Sequence, residues 1–215
     1  MDKKTYNMLE KDFWLERKYA LWALFVPAYI AVFFLVEHIN DDPALCRVSH
    51  AALDDMIPFL EGFIIPYYFW FPLLVGVGLY GLIKEEYPFK RYMRLLTLTF
   101  FAAEIFFLIF PNCQDLRPET FENENLCTYL IGAIYSVDTS TNVFPSVHII
   151  GALDAVIRVF DFKTLKNKGL VRAFIIFVAL SICLATMFVK QHSVLDVLGG
   201  VIFAVIGYFI IYRKK

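Results

Sequence analysis

The chain alternates between long apolar runs and short charged segments. Runs of about 20 residues, the length of a membrane-crossing helix, lie near 19–37, 57–83, 92–111, 145–161, 171–190 and 193–212. The pattern therefore predicts an all-α bundle of six membrane-spanning helices. Within the fourth run, Asp154 and Arg158 stand four residues apart, so they are expected to pair near one end of that helix.

A seventh apolar run, 126–137, has only about a dozen residues. This length is too short to cross a bilayer and favours an interfacial or re-entrant helix within an outer loop. An even number of crossings also agrees with the distribution of charge described below.

The composition is that of a membrane protein. Of the 215 residues, 59% are hydrophobic and 23 are Phe, whereas soluble domains contain roughly 45–50% apolar residues. The length fits a single membrane-embedded domain over residues 1–215. A net charge of -1 and the lack of a basic tract give no sign of nucleic-acid binding.

The positive charges predict the orientation in the membrane. All but three of the 20 Lys and Arg residues fall in the N-terminal segment, the loops at 84–94 and 158–172, or the C-terminal tail. These segments share one side of a six-span bundle, and the positive-inside rule makes that side cytoplasmic. Both termini are thus expected in the cytoplasm, with an uncleaved first helix. The remaining cations, Arg47, Arg117 and Lys190, are expected on the extracytoplasmic side, where an anionic substrate would account for them.

Two histidines and one aspartate stand at the ends of apolar runs on that outer side. His148 follows Phe-Pro-Ser-Val, and His192 precedes Asp196 by four residues. One imidazole can attack phosphorus, the carboxylate can hold it in the right tautomer, and the second imidazole can protonate the leaving oxygen. In a membrane protein these residues predict phosphoryl transfer on a lipid-like substrate. Taken singly, each histidine could instead cap a helix, and the His192–Asp196 spacing also resembles half of a metal site.

Three segments carry a resemblance to a known family. Leu-Arg-Pro (116–118), Phe-Pro-Ser-Val-His (144–148) and Lys-Gln-His-Ser-Val-Leu-Asp (190–196) resemble the motifs of the type 2 phosphatidic acid phosphatase (lipid phosphate phosphatase) superfamily. The family motifs read Lys-x6-Arg-Pro, Pro-Ser-Gly-His and Ser-Arg-x5-His-x3-Asp. The resemblance covers about residues 57–212, and the compact chain looks more like bacterial members.

The resemblance implies a role for each matching residue. His192 would be the nucleophile that forms a phosphohistidine, Asp196 would orient it, and His148 would act as general acid and then as base. Arg117 and Ser146 would hold the phosphate oxygens together with N–H groups at the start of a helix. No metal or other cofactor would be needed, because cations and N–H groups stabilise the developing charge.

The chain departs from the family pattern in all three motifs. The departures are Phe110 for the first-motif lysine, Val147 for the second-motif glycine, and Ala185 and Thr186 for the third-motif Ser-Arg pair. Lys190 is expected to compensate for the missing arginine, because it lies four residues past Thr186 and helical side chains lean toward the N-terminus.

The function expected from these residues is hydrolysis of a phosphate monoester or diphosphate of a membrane lipid at an extracytoplasmic site. Two alternatives stay open. The same site could serve a phosphotransferase or sphingolipid head-group synthase that uses an acceptor lipid, or the chain could bind anionic lipids without catalysis. Thr186 and Asn142 are weaker candidates for contact with the phosphate. The sequence identifies neither the lipid nor the oligomeric state.

Three of the four cysteines, Cys46, Cys113 and Cys127, fall in predicted outer loops. A disulfide between Cys113 and Cys127 is one option in an oxidising compartment. The third outer cysteine leaves the pairing ambiguous.

Overall fold

The structure, a computed structural model, describes residues 18–40 and 46–213. Its α-helices in chain order are α1 (Phe25–Ile39), α2 (Ile64–Tyr68), α3 (Trp70–Lys84), α4 (Glu86–Ile109), α5 (Leu126–Val137), α6 (Val147–Asp161), α7 (Gly169–Phe188) and α8 (Val194–Tyr212). Short 3-10 helices, Lys18–Leu24 and Glu61–Phe63, lead into α1 and α2. The predicted all-α class is confirmed.

Within the described residues, five helical segments are long and apolar enough to cross a membrane. They are Lys18–Ile39, Glu61–Lys84, Glu86–Ile109, Gly169–Phe188 and Val194–Tyr212, and they correspond to five of the six predicted spans. The chain is therefore a multi-pass membrane protein. The fourth predicted span forms α6, whose 15 residues extend only about 22 Å at 1.5 Å per residue. The sixth crossing stays a prediction, as does the interfacial position of the short helix α5.

Helix α6 lies at the centre of the bundle and packs against α3, α4, α7 and α8. Phe160 is its one exposed residue. The surrounding helices instead expose large apolar side chains such as Ile105, Phe177 and Ile206. A soluble monomer rarely exposes so much contiguous apolar surface, so these faces suit contact with lipid.

The predicted pairing of Asp154 with Arg158 is wrong. Both side chains are fully buried, but Asp154 accepts a hydrogen bond from the Thr99 hydroxyl of α4 at 2.8 Å, and Arg158 pairs with Asp161. The helix is enclosed by protein, so neighbouring helices and the next turn offer closer partners than the residue four positions away.

The connecting segments gather at two opposite ends of the bundle. At one end, Glu85, between α3 and α4, accepts hydrogen bonds from the N–H groups of Lys163 and Thr164, between α6 and α7. We call it the basic end, because it carries the basic segments 84–94 and 163–172. The other end holds the three motifs, and we call it the motif end. Most cations of the N-terminal segment and tail lie outside the described residues.

At the motif end, the strands β1 (Arg47–Val48) and β2 (Asn112–Cys113) pair in parallel. This pairing brings Cys46 and Cys113 together in a disulfide with a Cα–Cα distance of 5.6 Å. Cys127 is free and lies in the first turn of α5. The option of a Cys113–Cys127 disulfide is therefore wrong, because the contact between two distant loops decides the pairing.

Candidate active site

Ser146 begins helix α6 and fixes the position of His148. It is the N-cap residue, and its hydroxyl oxygen accepts a hydrogen bond from the N–H of Ile149 at 3.4 Å. Serine is favoured at this position because it satisfies an N–H that the helix leaves free. The cap places His148 in the first helical turn, where it is buried.

Helix α8 begins with a capping box that positions the other two residues. The Ser193 side chain caps the helix, and the Asp196 carboxylate accepts a hydrogen bond from the Ser193 N–H at 2.8 Å. His192 therefore stands immediately before the cap, and Asp196 lies one turn further on. The N–H of His192 donates to the carbonyl of Thr186 at 3.1 Å, which ties this turn to the end of α7.

The two histidines face one another. His148 Nδ1 lies 3.2 Å from His192 Nε2, and His192 Nδ1 lies 3.5 Å from Asp196 Oδ2. A backbone hydrogen bond of 3.1 Å from the Ser146 N–H to the Asp196 carbonyl joins the starts of α6 and α8. If His192 carries its proton on Nδ1, toward the carboxylate, then Nε2 is a lone-pair acceptor and His148 Nδ1 is the donor.

The imidazole of His148 lies against two aromatic rings. The ring centroids of Tyr67 and Trp70 are each 4.8 Å from that of His148. The indole N–H of Trp70 also donates to the His148 carbonyl at 3.0 Å. These contacts hold the ring in place and exclude water from it. Both aromatics belong to the run 66–71 and were not among the predicted site residues.

Arg117 is connected to the histidines indirectly, through Gln191, the residue before His192. Its guanidinium donates to the side-chain oxygen of Gln191 at 2.5 Å and to the carbonyls of Asp138 and Thr139. It also lies over the Tyr135 ring, 4.3 Å from the centroid. Burial lowers the pKa of Arg117 from its ordinary value. Gln191 was missed by the sequence analysis, although its place between Lys190 and His192 marked it as part of the motif end.

Lys190 does not follow Thr186 along one helix face. Helix α7 ends at Phe188, and Lys190 adopts a left-handed backbone conformation with φ of 55°. Its ammonium donates to the carbonyls of Asp54 at 3.0 Å and Ile57 at 2.6 Å. The structure thus gives this cation backbone partners in a loop of the motif end. Its suggested role as a substitute for the missing arginine stays a prediction.

The two weaker candidates lie in different surroundings. Thr186 is fully buried, and its carbonyl accepts the N–H groups of Gln191 and His192, so it supports the turn that carries the nucleophile candidate. Asn142 hydrogen-bonds instead with Asn40 at 2.6 Å and Glu37 at 2.8 Å. It therefore connects the loop before α6 to the end of α1.

Two residues of the loop between α1 and α2 contact the site, and nothing in the sequence marked them. The hydroxyl of Ser49 donates to Asp196 Oδ1 at 2.5 Å. Asp54 accepts hydrogen bonds from the hydroxyl of Ser193 at 2.6 Å and the N–H of Val194 at 2.8 Å. In residues 18–40 and 46–213, no cluster of three or more His, Cys, Asp or Glu residues is arranged to hold a metal ion.

The geometry suits nucleophilic substitution, in which a group passes from a leaving atom to a nucleophile. One imidazole has a carboxylate behind it and its Nε2 lone pair turned toward the facing imidazole, which can supply a proton. The comparisons agree with this chemistry. The model of the PAP2 superfamily matches residues 93–215, which include all three motifs. No curated protein and no solved structure matches the chain significantly. Because the family model covers more than half of the chain, the protein belongs to the PAP2 superfamily.

Proposed function

We propose that this protein is a lipid phosphate phosphatase that cleaves a phosphate monoester or diphosphate of a membrane lipid through a phosphohistidine intermediate. Membership in the PAP2 superfamily indicates phosphatase-type activity on phosphate esters. The observation that carries the finer proposal is the contact of His148 with His192 at 3.2 Å, with Asp196 behind His192.

In the first step, His192 Nε2 attacks phosphorus. An N–P bond forms while the bond from phosphorus to the lipid oxygen breaks, and His148 donates its proton to that oxygen. Asp196 keeps the Nδ1 proton in place and stabilises the positive charge that develops on the ring. The phosphoryl group would enter between the two imidazoles and replace their present hydrogen bond.

In the second step, water cleaves the phosphohistidine. His148, now without its proton, takes one from the attacking water as a new O–P bond forms and the N–P bond breaks. Inorganic phosphate leaves, and both histidines return to their starting protonation states. The proposed reaction uses no metal ion.

The phosphate oxygens would be held at the start of α6. The N–H groups of Val147 and His148, at the first two helical positions, lie outside the intrahelical hydrogen-bond ladder and favour an anion. Arg117 would approach from the outer loop. In the described part of the chain its Nε is buried and has no hydrogen-bond partner, so this N–H could donate to a phosphate oxygen. Ser146 would contribute to phosphate binding through its position at the N-cap of α6.

A lipid substrate is supported by an apolar cleft beside the site. The cleft has a volume of about 280 Å³ and lies among α1, α3 and α4, with Trp70, Phe71 and Phe100 in its lining. Trp70 also contacts His148, so a hydrocarbon tail in this cleft would reach the neighbourhood of the catalytic pair.

The site is proposed to face the extracytoplasmic side. It lies at the motif end, opposite the segments 84–94 and 163–172, whose positive charge is typical of the cytoplasmic side. The Cys46–Cys113 disulfide at the motif end supports the same orientation, because disulfides persist in oxidising compartments. Both termini would then lie in the cytoplasm.

The test is phosphate release by detergent-purified protein from a panel of lipid phosphates and diphosphates, with EDTA present. His192→Ala should abolish release, whereas His38→Ala should leave it unchanged, because His38 is exposed near the end of α1. With substrate labelled in the phosphoryl group, brief reaction and alkaline quenching should trap an acid-labile adduct that is absent from His192→Ala.

Three outcomes would overturn parts of the proposal. Release that EDTA removes would contradict the metal-independent mechanism. Transfer of the labelled group to an added acceptor lipid, without free phosphate, would assign the site to a phosphotransferase. Lipid binding with no turnover, equal in wild type and His192→Ala, would indicate a binding protein.

A further inference from the structure

The first outer loop contributes a buried hydroxyl to the catalytic carboxylate. We define this loop by its described part, residues 46–60. Ser49, within it, donates to Asp196 Oδ1 at 2.5 Å, and both residues are buried. The loop lies outside the stretch that matches the family model, so membership in the family assigns nothing to it.

The hydroxyl of Ser49 completes the set of donors around Asp196. The carboxylate receives the Ser193 N–H on Oδ2 at 2.8 Å and Ser49 on Oδ1. Since the carboxylate is fully buried, solvent cannot replace a lost donor without cost. The two donors together fix the rotation of the carboxylate, and that rotation directs Oδ2 toward His192 Nδ1 at 3.5 Å.

The loop is itself fastened to the parts of the protein that carry the site. The N–H of Ser49 donates to the Cys113 carbonyl at 2.7 Å, next to the Cys46–Cys113 disulfide. On the other side, the carboxylate of Asp54 binds the hydroxyl of Ser193 and the N–H of Val194 at the start of α8. The Ser49 hydroxyl therefore has little freedom to leave Asp196.

We propose that Ser49 is a positioning residue, which acts through Asp196 to orient His192 for attack on phosphorus. This inference rests on the proposed function, in which Asp196 serves the nucleophile. Its alternative is a purely structural role, in which Ser49 satisfies a buried carboxylate and affects stability alone.

Kinetics of Ser49→Ala and Ser49→Thr separate these roles. Loss of a hydrogen bond to a buried charged group should lower kcat by about 10- to 100-fold in Ser49→Ala, with little change in KM. Ser49→Thr keeps the hydroxyl and should recover most of the activity. Ser136→Ala is the matched control, since Ser136 is an exposed serine whose hydroxyl donates to the Ala133 carbonyl within α5.

A double-mutant cycle tests whether the effect passes through Asp196. In an Asp196→Asn background, Ser49→Ala should produce no further loss of kcat, because the pathway is already broken. Equal fold-losses in both backgrounds would overturn the inference, as would a wild-type kcat in Ser49→Ala.

A readout that needs no turnover distinguishes failure of this inference from failure of the proposed function. The chain has 4 His, so nitrogen-15 histidine spectra can be assigned with single variants. Ser49→Ala should shift the His192 Nδ1 resonance in the wild-type background and leave it unchanged in Asp196→Asn. This result in a protein that releases no phosphate would keep the positioning role and reject the phosphatase. An unshifted resonance in a folded, active protein would reject the positioning role alone.

Discussion

Substitution of Gly200 by alanine tests the contact between α6, which carries His148, and α8, whose start directly follows His192. Gly200 lies on α8, against the start of α6. A Cβ atom at this position would stand 2.7 Å from the Cβ of Ile149 and 2.8 Å from the carbonyl oxygen of Ser146. The second neighbour is backbone at the cap of α6, so it cannot rotate away as a side chain could.

The expected magnitude follows from these distances. Carbon atoms pack at about 3.5 Å or more, so α6 and α8 must separate by close to 1 Å at this point. Overpacking of this kind lowers the free energy of unfolding by about 1–3 kcal/mol, and the better helix propensity of alanine raises it by about 0.5–1 kcal/mol. The net loss in free energy of unfolding is on the order of 1–2 kcal/mol. Because the shift moves His148 relative to His192, kcat should fall by up to about 100-fold.

Gly76→Ala is the matched control. Gly76 is also helical, but nothing lies within 4 Å of the Cβ that would be added there. This variant should be stabilised by up to about 1 kcal/mol and remain fully active. Thermal unfolding in detergent and phosphate release would be measured on both variants. If Gly200→Ala proved as stable and as active as Gly76→Ala, the inferred tight contact between α6 and α8 would be refuted.

Three further substitutions have defined outcomes. His148→Ala should lower kcat by about 10²–10⁴-fold without loss of folding, and unchanged phosphate release would contradict its role as proton donor. Cys46→Ala should lower the free energy of unfolding by about 2–4 kcal/mol, as measured by thermal unfolding without reductant; an unchanged Tm would argue against the disulfide. His50 forms hydrogen bonds with Asp115 and Asp55, and these bonds, that to Asp115 most strongly, raise the pKa of His50 above 6.5. The stabilisation of the folded state by this charged imidazole is therefore complete below pH 6.5 and disappears as the pH rises through the raised pKa. The difference in Tm between wild type and His50→Gln should therefore be largest in acid and vanish in alkali, and a difference that is independent of pH would contradict the pairing.

The apolar pattern predicted most of the architecture because a bilayer demands long apolar helices. Five predicted spans correspond to described helical segments. The third span begins earlier than predicted, at Glu86, and the second span consists of a short helix α2 and a break at Phe69 before α3. Pairing within α6 was not predictable from spacing. Asp154 meets Thr99 because α4 packs against α6, and spacing along one helix carries no information about its neighbours.

At the site, too, spacing along the sequence did not show which distant residues are in contact. The three motifs indicated His148, His192 and Asp196, and the capped helix starts bring those residues together. Ser49 could not be found this way, because 147 positions separate it from Asp196 and no spacing rule connects them. Likewise, the pairing of Cys46 with Cys113 depends on two short strands that only the folded chain brings into contact.

The enclosure of α6 has a consequence for how the protein is assembled. As an isolated helix in a bilayer, this segment would carry the charged residues Asp154 and Arg158, each of which costs about 2.5–3.5 kcal/mol at the centre of a membrane. In the finished bundle, protein surrounds both side chains. During synthesis, α4 is already present to receive Asp154 through Thr99, but protein surrounds α6 on all sides only once α7 and α8 have been made.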